Sequence, residues 1–202
     1  MKDKIIKQLF SYWDDLRGDR IAPTRAEIDP RKIKGTLEHT FILEAVKTGS
    51  PKFRLAGIEV CDLLGMELRG MPSHTLIEEI DRDDFNAIVA QVLATPQIVE
   101  LRLQGQVAGG RHITGRMILM PLKDDQGALT RILGAVTLDR ELLRPPIRFT
   151  VERKNVTRIV NTKSLPLDQV VEGGMAEPYV GFMRPAKRPV QNANGPILRV
   201  VK

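Results

Sequence analysis

The segment Leu129 to Asp139 is a strand-length run that is apolar on both faces. Leu129, Leu133 and Ala135 fall on one face, and Ile132, Val136 and Leu138 on the other. Strand side chains alternate, so a run of this kind has no face to offer to water. It belongs inside a sheet covered by a second layer on each side. The chain must therefore supply two covers, or supply one and borrow the other from a second subunit.

Both covers are visible in the sequence. Asp81 to Thr95 reads as a helix, with Asp81 as N-cap and Asp83 and Asp84 favouring the positive end of the dipole. Phe85, Ile88, Val89, Val92 and Leu93 form its apolar stripe, and Pro96 stops it. Asp3 to Leu16 reads as a second amphipathic helix, with Ile5, Ile6, Leu9, Phe10, Trp13 and Leu16 on one stripe and Gly18 as its stop. This stripe either packs on the sheet or forms part of a dimer seam, with Trp13 as the anchor of either arrangement. Phe10, Trp13, Leu133 and Val136 are the interface candidates.

The other strands follow from alternation and turns. Phe41 to Val46 and Lys52 to Gly57 flank the turn Lys47-Thr48-Gly49-Ser50-Pro51. Val99, Leu101, Leu103 and Val107 alternate with Glu100, Arg102, Gln104 and Gln106, a half-buried strand. His112 to Leu122 follows after a Gly109-Gly110 turn. Between the first pair and the long helix lie short helical pieces, Glu59 to Leu64 and the turns from Ser73 to Glu79, broken by Gly65 and Gly70. Asp29-Pro30 opens another, expected from Pro30 to Leu37. The arginines of the connector Arg17-Gly18-Asp19-Arg20-Ile21-Ala22-Pro23-Thr24-Arg25 read as a structural clamp, with phosphate binding as the alternative.

Charge divides the chain. From Pro145 to Lys202 there are ten Lys or Arg against four Asp or Glu, together with seven of the thirteen prolines, while residues 1 to 144 are neutral. The body and the tail are therefore read separately. Phe149 to Val160 is a short extended piece within a tail that otherwise reads as loop or disorder. One cysteine, Cys61, excludes an internal disulfide framework and a Cys-rich zinc site. There is no secretory signal pattern and no membrane-length apolar run, so a cytoplasmic protein is expected.

Two strands, short helices, one longer helix and three strands is the order of a PAS domain. The run Tyr12-Trp13-Asp14-Asp15-Leu16-Arg17-Gly18-Asp19-Arg20-Ile21-Ala22-Pro23-Thr24-Arg25, followed by Ile28-Asp29-Pro30, resembles the opening of the bacterial PAS_5 family. Phe53-Arg54-Leu55-Ala56-Gly57 and Gly65-Met66-Glu67-Leu68-Arg69-Gly70 resemble its next two motifs. The resemblance spans roughly residues 5 to 140. It implies an α+β PAS fold with an N-terminal helical extension, and a signalling or regulatory role with no catalytic domain on the chain. It transfers no ligand or catalytic residue. The expected organisation is an N-terminal helical extension at 1–37, a PAS domain at 38–143 with a five-stranded antiparallel sheet and short helices on one face, and a basic, Pro-rich, partly disordered tail at 144–202.

No enzyme motif is present: no Gly-rich phosphate loop with Lys-Ser/Thr and no Gly-x-Ser-x-Gly elbow. His39, His74 and His112 are isolated, which disfavours a metal or haem site. Cys61 reads as a small core residue, with a flavin-adduct or redox role as the alternative. The aromatic content of 4 % is low for a flavin cage. No cofactor is expected, and haem and flavin are disfavoured. A cavity for an unidentified small molecule would be lined by Phe53, Cys61, Leu64, Phe85, Val89 and Met117. The expected function is a non-enzymatic sensory module that binds a partner signalling protein, as a homodimer, open to gating by a small molecule. The alternative is a binder of nucleic acid or another polyanion through the basic tail, disfavoured because only Arg184 to Arg188 forms a cluster. Arg54, inside a strand motif, is expected to pair with a carboxylate or carbonyls.

Overall fold

The computed structural model describes residues 3–106, 112–140 and 145–159. The Gly109-Gly110 turn and the Arg184 to Arg188 cluster lie outside them. An N-terminal helix α1 (Asp3–Arg17) is followed by two 3-10 turns, Arg25–Glu27 and Pro30–Ile33, and a third at Leu37–His39. The single short helix expected from Pro30 is thus two tight turns; Asp29 does cap the first of these, accepting from the Arg31 N–H at 3.0 Å. The sheet is built from β1 (Thr40–Glu44), β2 (Lys52–Ala56), β3 (Gln97–Gln106), β4 (His112–Lys123), β5 (Leu129–Leu138) and β6 (Phe149–Arg158). Short α2 (Ile58–Asp62), two further 3-10 turns and the longer α3 (Arg82–Ala94) lie between β2 and β3.

All strand pairs are antiparallel, in the order β2-β1-β5-β4-β3-β6. The sheet has six strands, not the five expected. The sixth comes from residues read as a short extended piece of the tail, and it pairs along β3 from Gln97 to Gly105. Its polar composition hides it. Of its residues only Phe149 is fully buried, because an edge strand needs one apolar anchor and main-chain bonds more than a face.

β5 has the two faces its sequence demands. Ile132, Val136 and Leu138 join an inner core with β1, β2 and the α2–α3 segment; Leu133 and Ala135 join an outer core under α1, with Leu129 packed at its margin. The α1 stripe supplies Ile6, Leu9, Phe10 and Trp13 to the outer core. So α1 is the second cover.

Two glycines are fixed by close approach. Gly57, which ends the Phe-Arg-Leu-Ala-Gly motif, lies against the carbonyls of Leu37 and Glu38, where a Cβ would collide with both. Gly134 on β5 faces Phe41 on β1, and a Cβ there would enter the Phe41 ring. Phe41 in turn meets Phe53 edge-on, with ring centroids 5.6 Å apart.

Pro121 lies inside β4 yet breaks no pairing with β3. The last β3–β4 pair is Val99↔Leu119, so its missing N–H is not needed on that side. The connector after α1 completes this end of β4. The Lys123 N–H donates to the Pro23 carbonyl at 3.0 Å, and Thr24 bridges Lys123 in parallel.

Candidate functional site

The helix-side space between the sheet and α2–α3 is where a ligand cavity is expected. Phe53, Leu64, Phe85, Val89 and Met117 do come together there, all within the inner core. None of Phe53, Phe85, Val89 and Met117 exposes more than 2 % of its surface. They pack against one another within this core. Leu64 at 8 % is the most open of the five. Cys61 is half-buried and packs against the rim of the same core, more open than a core cysteine. Among the described residues no group of three or more His, Cys, Asp or Glu is arranged to hold a metal. His74 hydrogen-bonds through Nδ1 with Ser50 Oγ (3.0 Å) and Asn86 Oδ1 (3.2 Å), tying the 3-10 turn to α3.

The interface candidates are covered by the chain itself. Phe10, Trp13 and Leu133 lie in the outer core and Val136 in the inner one. Trp13 is fully buried, and its indole N–H donates to the Pro121 carbonyl at 3.0 Å. Arg17 stacks on the Trp13 ring, 5.6 Å from its centroid, while its Nε donates to Asp14 and its Nη1 to the Arg20 carbonyl. Arg20 donates to both oxygens of Glu27, at 3.0 and 2.7 Å, and to the Leu16 carbonyl. Arg17 and Arg20 of the connector are a clamp that locks the end of α1 to the following turn. The Arg20 guanidinium, helped by the Thr24 N–H, holds the Glu27 carboxyl down at about 2 and is itself raised by the pair. Arg54 pairs with Glu44 across β1–β2 at 2.9 Å, as expected of it.

Asp81 does something its position in sequence conceals. It stands at the N-cap of α3, but its side chain makes no capping bond there. Its Oδ2 accepts instead from the Val151 N–H of β6 at 2.8 Å. The Glu78 N–H donates to the Phe149 carbonyl nearby. These two bonds close the outer edge of β6 over its first three residues.

The polar part of the sheet's outer face is not covered by α1. There, one row of opposed residues crosses four strands: Arg153 on β6, Arg102 on β3, Arg116 on β4 and Thr137 on β5. A β-bulge between the Arg102 and Leu103 pairs adds Glu152 to β6, and Glu152 reaches Arg102 at 3.2 Å. Arg102, Arg116, Thr114, Thr137 and Asp139 line a shallow groove of about 250 Å³ on this face. Asp139 is held by the Thr114 hydroxyl at 2.9 Å. Sequence reasoning marks Arg102 as outward-facing and no more, because the row exists only once three strands are in register.

A family model described as a PAS domain, PAS_5, matches residues 1–137. No match is found among curated proteins. Solved structures with a similar course include a light-oxygen-voltage (LOV) domain studied with a flavin analogue, at 13 % identity and a TM-score of 0.42, covering 55 % of this chain and 84 % of that one. The dark state of the blue-light photoreceptor Aureochrome1 LOV follows at 14 % identity and TM-score 0.41, covering 54 % and 80 %. The Rhodobacter sphaeroides LOV protein matches at 14 % identity and TM-score 0.40, covering 52 % and 62 %.

Proposed function

The chain belongs to the PAS_5 family of PAS domains, and we propose that it works as a non-enzymatic sensory or regulatory module of bacterial signalling that acts through protein–protein contacts. We place the PAS unit at residues 38–159, with residues 1–37 as its N-terminal cover. The observation that carries this reading is the packing of the inner core. Phe53, Phe85, Val89 and Met117 fill the position where a small-molecule sensor needs space. A domain whose core is filled with its own side chains has its surface left to work with.

Native mass spectrometry of the purified protein, paired with its denatured mass, tests this. The expected result is a native mass equal to a whole multiple of the chain. A mass excess that disappears on denaturation overturns the closed-core reading and assigns a ligand-gated sensor. A flavin would add visible absorbance to that excess.

A further inference from the structure

Of the seven large apolar side chains exposed among the described residues, three lie in one short stretch of chain: Leu55, Ile58 and Met66, open to solvent by 41 %, 62 % and 48 %. Apolar residues scattered singly over a surface need no explanation, but a concentration of them marks a contact surface. Leu55, near the end of β2, stands opposite Ile42; Ile42 opposes Leu133, and Leu133 opposes Met120. The last three are buried in the outer core, so Leu55 is the end of a covered row that comes out into water. Ile58 opens α2. Leu37, in the turn whose carbonyls lie against Gly57, is half-buried at the margin of the same core.

The charges on either side select the occupant. Before the apolar residues, β2 exposes Lys52 and Arg54. Glu44 on β1 answers Arg54 at 2.9 Å and Arg131 on β5 at 3.5 Å, so one carboxylate stands among two arginines and the Lys52 opposite it. After them, α2 exposes Glu59 and Asp62 and carries no cation. Among the described residues no ion pair holds Lys52, Glu59 or Asp62. The stretch is basic at one end, apolar in the middle and acidic at the other. An acidic partner is repelled at α2 and a basic one at β2. A second copy, turned about an axis between Leu55 and Ile58, sets apolar against apolar and each Lys52 end against a Glu59 end.

We propose that residues 52–62, centred on Leu55 and Ile58, form a two-fold contact between two copies of this chain. This rests on the reading of the chain as an interaction module and names its partner.

Sedimentation equilibrium of the full chain over a range of concentrations tests it. The expected result is a reversible monomer–dimer equilibrium. Ile58→Glu should weaken the dimer more than about tenfold. It should leave the unfolding midpoint in place, because the side chain is exposed and an acidic residue suits the first turn of a helix. Ile80→Glu, at a side chain more exposed still, should leave the dimer unchanged. Lys52→Glu and Glu59→Lys should each weaken the dimer, and the two together in one chain should restore it, which a loss of fold cannot do. A dimer that Ile58→Glu leaves intact, or that Ile80→Glu weakens as much, overturns the proposal. So does a double variant that stays as weak as either single one. A monomer at every concentration alongside a clean native mass removes this contact and leaves the interaction module standing with another protein as its partner. A mass excess alongside an intact dimer removes the closed core alone.

Discussion

The two faces of the sheet are sealed by opposite strategies. The inner face is covered by several short pieces, α2, two 3-10 turns and α3, and the segment is tied to the sheet's edges beside β2 at residues 70–73 and beside β6 at Glu78 and Asp81. The outer face is covered by α1, held by Trp13 and an arginine clamp, with Ala22, Ile28 and Ile33 of the following connector beside it. Many short pieces can reach every part of a face, and the inner core is continuous from β2 to β6. One helix and its connector cover only part of a face, so the outer core spans β1, β5, β4 and the start of β3 and then stops. Beyond it the outer face is polar and carries the arginine row. One face is covered across its breadth, and the other only in part.

If both covers belong to one cooperative unit, truncating either should be equally severe. Trp13→Ala and Phe85→Ala are each expected to cost about 3–5 kcal/mol in urea unfolding followed by circular dichroism. In the unmodified chain, fluorescence of the sole tryptophan should report the same midpoint as the dichroism, since β5 is shared by both cores. An earlier fluorescence transition would make α1 a detachable layer and break the comparison. A Cβ-branched side chain at the wall between the covers should come next. Gly134→Val pushes Phe41 out of place and is expected to cost at the upper end of the ~1–3 kcal/mol typical of overpacking. A smaller loss is expected from Asp81→Ala, about 1–2 kcal/mol, because the Val151 N–H is left without its acceptor. Hydrogen exchange should then quicken at Val151 before anywhere on β2, sharpening the contrast between the two edges.

The clamp under α1 should show itself through pH. The Glu27 carboxyl lies at about 2 in the folded chain against an ordinary 4.5. Its folded value is depressed, so its contribution is complete above the ordinary value and is lost as pH falls from about 5 towards 2. The pair is partly exposed, and Glu27→Gln is expected to cost under about 1 kcal/mol at neutral pH while flattening that part of the acid-stability curve. An unchanged curve would remove Arg20 and Glu27 from the clamp. Arg54→Met, on the exposed end of the β1–β2 pair, should shift stability by no more than about 0–1 kcal/mol.

Periodicity carries the parts of this fold that depend on one element at a time. The alternation of Leu129 to Leu138 assigns the six apolar side chains named on it to their correct cores, and the stripe of α1 names residues that cover one of them. What depends on two elements is not legible. β6 has too few apolar residues to announce itself, and its place beside β3 is a matter of main-chain bonds that any sequence can make. The arginine row needs the register of β3, β4 and β6 and a one-residue bulge at Glu152, none of which is written in the spacing of Arg102, Arg116 and Arg153. Asp81 carries the residue type and position of a cap, so its bond to Val151 is hidden behind a more familiar role. The packing of the inner core depends on side-chain volumes in three dimensions; composition gives the lining residues and not whether they touch.

The junction of Pro23 with Lys123 has a mechanical consequence. A sheet under tension fails by peeling from its outermost strands, one bond at a time. Here the N-terminal arm is fastened to β4, a strand bonded to β5 on one side and β3 on the other. A pull transmitted through α1 reaches the sheet at the end of β4, past its last pair with β3, where β5 is its neighbour in the ladder. The arm is fastened to the sheet at the end of an inner strand and not along either of its edge strands.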